Sequence, residues 1–219
     1  MEAKRPSRFD LPPVIPVFPL PGALLLPRGR LPLNIFEPRY LAMIDHALRT
    51  SRVIGMIQPS GGADAMRPEL FPVGCLGRLT SWSETGDGRF LITLTGMARF
   101  QIESELDSAT PYRQVQACYK SFPHDLEECD DEAEIDRHRL AASLKCYLKQ
   151  HQIAADWNSI ERAPGEVLIN SLAMICPFDV AEKQALLEAP TLCERARMLT
   201  ALIEMAAAQG GAESGGTLQ

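Results

Sequence analysis

The chain has 219 residues, of which 46% are hydrophobic and 23% charged. That is enough for one large domain or two small ones and for a core hiding roughly 70% of the unfolded surface, so global disorder is disfavoured. A net charge of −6 argues against a general nucleic-acid binder, which needs a basic surface to displace phosphate counterions.

Before about residue 125, prolines, glycines and short β-type runs dominate. Val14–Phe18 reads as an extended run whose Pro16 suits an edge strand or strand end. Leu31–Phe36 is a second strand. Pro38 then opens a helix at the first position, where its missing N–H costs nothing, and Tyr40, Ile44, Ala47 and Leu48 share one face. Val53–Ile57 is the next strand. Cys75–Ser83 and Arg89–Ile102 form a long antiparallel pair around Gly86-Asp87-Gly88, because Asp-Gly tolerates the positive φ of a tight turn. Phe90, Ile92 and Leu94 alternate with Leu91, Thr93 and Thr95, which suggests a strand covered on both faces. Gly96 marks a bulge or bend. Tyr112–Tyr119 supplies a further strand. Short strands joined by turns, with one inserted helix, suggest a small twisted barrel.

The acidic stretch from Asp125 through Asp136 reads as a solvated linker into a helix start, with an acidic binding surface as the alternative. Helical periods follow. One helix carries Leu140, Ala141, Leu144, Tyr147 and Leu148. Another runs from near Pro164 to before Pro177, with Leu168, Leu172 and Ile175 inward. Asp179 with Glu182 resembles a capping arrangement, and Thr191 with Glu194 is a capping box. The last helix shows Leu199, Leu202, Ile203 and Ala206. Short connections imply a compact bundle over residues 126–208, after a β-rich part over 12–125. Residues 209–219 are expected to be a disordered tail.

No apolar run reaches the roughly 18 residues of a membrane span, and Met1–Pro13 lacks a signal-peptide core, so the expected location is the cytoplasm. The six cysteines lie far apart with no C-x-x-C pair and read as thiols of a reducing compartment. There is no Walker A motif, no G-x-G-x-x-G and no G-x-S-x-G elbow. His138, Cys146 and His151, with Cys129 before them, are too widely spaced for one zinc ion. Cys118 or Cys129 with His124 would make a Cys–His pair, but nothing local activates either thiol. The reading therefore calls for no cofactor, no metal and no catalytic residue. Phe36, Tyr40 and Trp82 are amphipathic aromatics that serve either core packing or an interface. Arg39 either pairs with Glu37 at the helix entrance or contacts a ligand.

Pro16-Val17-Phe18-Pro19-Leu20 followed by Leu31–Tyr40, with its Phe36-Glu37-Pro38-Arg39-Tyr40 block, resembles the N-terminal, substrate-binding domain of Lon proteases. Val73–Gly77, Gly88–Phe90 and Gly96–Phe100 resemble the next strand and hairpin of that family, and Glu182–Glu188 with Glu194–Leu199 its helical end. The resemblance spans about residues 12–207. It implies an α+β fold: a PUA-like β pseudo-barrel with an inserted helix, followed by a helical bundle. In Lon proteases an ATPase and a Ser–Lys protease follow. This sequence carries neither, so the resemblance implies a stand-alone, non-enzymatic domain that recognises unfolded or tagged polypeptides, alone or as an adaptor to a separate ATP-dependent protease. An extended segment is expected in an apolar groove at the junction of barrel and helices, with edge-strand pairing as a second mode. Phe36, Tyr40 and Trp82 would supply apolar area, and Arg39 would orient a carboxylate or carbonyl. A nucleic-acid-binding PUA-like domain, with Arg28, Arg30, Arg39, Arg78 and Arg99 on one face, and an unrecognised enzyme are the alternatives. An exposed groove also allows self-association.

Overall fold

In a computed structural model of the protein, residues 11–61, 67–127, 135–150 and 153–213 are described, with side chains through residue 208. Cys129, His151 and most of the acidic stretch lie outside them. The strands are β1 (Val14–Pro19), β2 (Arg30–Ile35), β3 (Val53–Ile57), β4 (Pro59–Gly61), β5 (Glu69–Leu70), β6 (Val73–Glu84), β7 (Phe90–Leu106) and β8 (Arg113–Cys118). The helices are α1 (Pro38–Arg49), α2 (Arg137–Gln150), α3 (Trp157–Arg162), α4 (Gly165–Ile175), α5 (Val180–Glu188) and α6 (Leu192–Glu213). The class is α+β.

The main sheet runs in the order β2-β7-β6-β3-β1-β8, and β8 also pairs with the second half of β7. The 17-residue β7 makes this closure possible. Phe90–Thr95 take β2 as a neighbour, Gln101–Leu106 take β8, and β6 lines the other edge. Only β1 and β3 are parallel, and α1 lies on the crossover between them. β1 is thus no edge strand, which removes one of the two readings of Pro16. Pro16 is accommodated because β8 pairs with Val14–Val17 whereas β3 pairs only from Val17 onward. Ile15, Val17, Leu76, Phe100 and Val115 fill the interior at 0% exposure.

The expected irregularity at Gly96 is present: Leu76 pairs with Ala98 but Gly77 with Gly96, so Met97 is the extra residue. A Cβ on Gly96 would lie 2.0 Å from the Leu26 carbonyl oxygen. The 24–29 loop can therefore press against β7 and exchange hydrogen bonds there, Arg28 N to Gly96 O and Gly96 N to Gly29 O, both at 2.9 Å. The Asp-Gly turn forms with Gly88 at φ +78. Leu91 is half exposed, so the outer face of β7 is not covered as expected.

The described chain divides into two compact units: the chain up to Glu128 with Pro177–Glu188, and Cys129–Cys176 with the chain from Ala189. The helix α5, read as part of the bundle, thus belongs to the sheet unit. Its reciprocal cap forms as read, with Asp179 N donating to Glu182 Oε2 at 2.8 Å and Glu182 N to Asp179 Oδ1 at 2.7 Å. Polar side chains hold it on the sheet. Gln184 Nε2 donates to Val73 O at 3.1 Å, Gln58 Nε2 donates to Gln184 Oε1 at 3.1 Å, and Lys183 Nζ donates to Gly22 O at 2.7 Å.

Asp125 corrects the linker reading. It sits in a 3₁₀ turn over Pro123–Leu126, is buried, and accepts from Arg99 N, Nε and Nη2 at 2.7–3.2 Å. Arg99 Nη1 also donates to Leu187 O at the end of α5.

In the helical unit, α6 packs against α2 and α4. The Thr191–Glu194 box forms, with Glu194 N donating to Thr191 Oγ1 at 3.1 Å and Thr191 N to Glu194 Oε2 at 3.3 Å. Two details differ from the reading. In α4 the inward residues are Leu168, Ile169 and Ala173, whereas Ile175 is 79% exposed in the last turn. The helix α6 continues through Glu213, into the segment read as a tail. The short α3 was not anticipated; Asp156 caps it by accepting from Asn158 N and Ser159 N.

Candidate functional site

A cleft of about 430 Å³ opens in the sheet unit between the end of β1, the start of α1 and the β7–β8 connection. Its floor is aromatic. Tyr40 is the third residue of α1, a position that turns its ring toward the core. That ring lies against Phe18 of β1 with centroids 4.2 Å apart. Tyr112, just before β8, is buried and packs 6.0 Å from His46 of α1. Burial raises the hydroxyl pKa of both tyrosines, so each stays neutral and able to donate.

The walls carry paired ions. Glu37 and Arg39 flank Pro38 at the helix entrance, and Arg39 Nη2 meets Glu37 Oε2 at 2.8 Å. The Arg39 guanidinium sits 4.6 Å above the Tyr40 ring centroid. On the opposite wall Glu105 and Arg113 form a two-pronged pair: Nε donates to Oε1 at 2.8 Å and Nη2 to Oε2 at 2.6 Å. Arg113 Nη1 donates to Pro68 O, and Arg67 Nη2 donates to Glu105 Oε1 at 2.8 Å. The Arg113 hydrogen bonds hold the Glu105 carboxyl below its ordinary pKa, with Arg67 adding to the effect. Pro19, Pro21, Pro59, Pro68 and Pro111 complete the lining.

The four residues singled out from the sequence do not come together. Arg39 and Tyr40 line the cleft, and Arg39 both pairs with Glu37 and faces the opening. Phe36 and Trp82 do not line it. Phe36 is 60% exposed just beyond β2, with the Arg89 guanidinium 5.9 Å from its ring. Trp82 is 45% exposed on β6, opposite Ile92, with Arg52 5.0 Å from its ring. The cleft belongs wholly to the sheet unit, whereas the sequence placed a groove at its junction with the helices. Phe18, Glu105, Tyr112 and Arg113 were missed because they lie at ends of strands distant in sequence, and only closure of the sheet joins them. The available signals were Pro19, directly after Phe18, and Pro111, directly before Tyr112 and Arg113.

Three of the five arginines of the nucleic-acid alternative are engaged within the fold. Arg99 is 2% exposed and bound to Asp125, Arg28 Nη1 donates to Asp125 O, and Arg39 is neutralised by Glu37. Among the described residues no group of three or more His, Cys, Asp or Glu side chains is placed to hold a metal ion. Cys75, Cys176 and Cys193 are buried and Cys146 is exposed. No helix among the described residues is long and apolar enough to cross a membrane.

A closed mixed sheet with an aromatic cleft at the mouth of its strands is the setting of a binding domain. The family model for the ATP-dependent protease La (LON) substrate-binding domain matches residues 14–205, and the chain belongs to that family. The chain is 27% identical over 202 residues to Lon protease 2 of Myxococcus xanthus, covering 90% of this chain and 24% of that protein. It is 28% identical over 207 residues to Lon protease of Syntrophus aciditrophicus (strain SB), covering 89% and 25%. It thus spans about a quarter of the length of these curated relatives. Two solved structures share the fold. The Lon N-terminal domain protein from Xanthomonas campestris aligns with a TM-score of 0.60 and 19% identity, over 86% of this chain and 97% of that one. The N-terminal domain of Mycobacterium avium complex Lon protease aligns with a TM-score of 0.64 and 18% identity, over 87% and 97%. The family model and both solved structures are of the Lon substrate-binding or N-terminal domain.

Proposed function

We propose that this chain is a non-enzymatic polypeptide-recognition module, built as a PUA-like pseudo-barrel followed by a helical bundle. It takes extended segments of unfolded or tagged polypeptides, as the substrate-binding part or the adaptor of an ATP-dependent protease of the cytoplasm. The observation that carries this reading is the cleft over Phe18, Tyr40 and Tyr112, in a chain whose family is defined by substrate binding. Aromatic floors give large contact area at small entropic cost, and a rim of already neutralised ions adds no net charge for a passing segment to oppose. Arg39 orients the segment at the helix entrance. Phe36, just beyond β2, and Trp82, on β6, are exposed apolar side chains outside the cleft.

The test is fluorescence anisotropy of a fluorescein-labelled peptide of uncharged apolar residues, in parallel with a reduced, alkylated protein. Binding in the micromolar range, worth about −8 kcal/mol, is expected for both. An unchanged signal for both up to about 50 μM protein would reject the reading.

A further inference from the structure

The strands β2, β7 and β6 run side by side, and their register fixes which residues share a face. Arg30, Thr95 and Arg78 lie directly opposite one another. So do Pro32, Thr93 and Ser81, and then Asn34, Leu91 and Ser83. Directly opposed residues point to the same side of a sheet. The alternate rows, Leu31–Leu94–Leu79 and Leu33–Ile92–Trp82, point to the other side, where Leu79, Ile92 and Leu94 are buried. The first face is open. Arg30, Pro32, Asn34, Ser81 and Ser83 are exposed on it, and Leu91 is half exposed.

No Asp or Glu occurs in these three rows, and among the described residues neither the Arg30 nor the Arg78 guanidinium has an ion pair or hydrogen bond. In this they differ from Arg28, Arg39 and Arg99, which are engaged within the fold. Neighbouring strands lie about 4.8 Å apart, so the two arginines face each other across β7 at roughly 10 Å between Cα atoms. Thr80 Oγ1 donates to Thr93 O at 3.2 Å and stands 3.0 Å from Thr95 Oγ1, so these hydroxyl protons are spent within the face. The free donors of the Arg30–Thr95–Arg78 row are therefore the two guanidiniums, whose forks match carboxylates. A long polyanion would run from this row onto a chain of net charge −6, whereas a short acidic segment needs only the two cationic positions. We propose that this face is a second polypeptide subsite, which takes a short, extended acidic segment with its carboxylates on Arg30 and Arg78 and an apolar side chain on Leu91. None of these residues lines the aromatic cleft, so the two sites are independent and can fail separately.

The probe is a short fluorescein-labelled peptide of alternating Glu and Val, read by anisotropy beside its counterpart with Lys in place of Glu. Wild type is expected to bind the acidic peptide in the micromolar range and the basic one more weakly. Arg30→Gln combined with Arg78→Gln should melt like wild type, weaken the acidic peptide about tenfold and leave the uncharged peptide of the cleft unaffected. Leu91→Asp, which keeps both arginines, should weaken the acidic peptide as well. Ser108→Trp, which places bulk in the cleft, should leave it unchanged. No binding of the acidic peptide up to about 50 μM protein, equal affinity for the basic one, or full affinity in the double variant would overturn the inference. So would loss of binding in Ser108→Trp, which would place the peptide in the cleft. A single-stranded oligouridylate that binds more tightly than the acidic peptide, and only while Arg30 and Arg78 are present, would overturn it in favour of nucleic acid. If the acidic peptide behaves as expected while the uncharged one does not bind, this subsite stands and the cleft reading falls.

Discussion

The sheet unit and the helical unit differ in their polar interactions. Beside exposed pairs such as Arg49–Asp45 and Arg39–Glu37, the sheet unit has a set of buried or part-buried polar contacts that join residues far apart in sequence: Arg99 to Asp125 and Leu187, Gln58 to Gln184, Lys183 to Gly22. In the helical unit most are short-range caps or exposed pairs, such as the Asp156 cap, the Thr191–Glu194 box and the Arg139–Glu204 pair. Arg195 to Asn170 is a buried exception. Buried polar contacts fix geometry because any misalignment leaves a desolvated group unpaired, while exposed ones tolerate movement. The cleft lies in the sheet unit, and its floor residues Phe18, Tyr40 and Tyr112 are all buried.

The contrast can be broken hardest at Asp125. Asp125→Ala leaves the Arg99 guanidinium buried without its carboxylate and should cost about 3–5 kcal/mol, read as a lower urea midpoint. Gly96→Ala comes next. Its methyl would meet the Leu26 carbonyl, so the 24–29 loop must move, at about 1–3 kcal/mol by thermal melt. A smaller effect is expected from acid at the cleft wall. The Glu105 pKa is depressed in the fold, so its contribution is present above the unfolded value of about 4.3 and is lost as pH falls through the folded value. The protection factors of the amides around Arg113, taken against the intrinsic exchange rate at each pH, should fall below about pH 4, and Glu105→Gln should remove that step. The smallest effect belongs to Arg139→Ala, whose exposed partner Glu204 is resolvated at once; no change in the urea midpoint beyond experimental scatter is expected.

Much of the fold was legible in the residues because it depends on local chemistry. Pro38 starts α1, Asp87-Gly88 turns the hairpin, and Glu182 and Glu194 reach back to Asp179 and Thr191. Each involves neighbours within four positions, where spacing alone dictates the contact. The Phe36–Tyr40 block also carried the family. The candidate site was legible only in part. Arg39 and Tyr40 were found because they share that block, whereas the chosen partners Phe36 and Trp82 lie on another surface.

The sequence by itself determined the class of protein, the starts of α1, α4, α5 and α6, the hairpin and the alternation that buries Ile92 and Leu94. Tertiary structure alone decided that β8 closes on β7, that α5 joins the sheet, that Asp125 turns inward to Arg99, and that Phe18, Tyr40, Glu105 and Arg113 share one cleft. The reason is physical. Caps and turns draw their energy from neighbours along the chain, whereas a closed sheet and a buried ion pair draw theirs from desolvating residues that only the finished fold brings together.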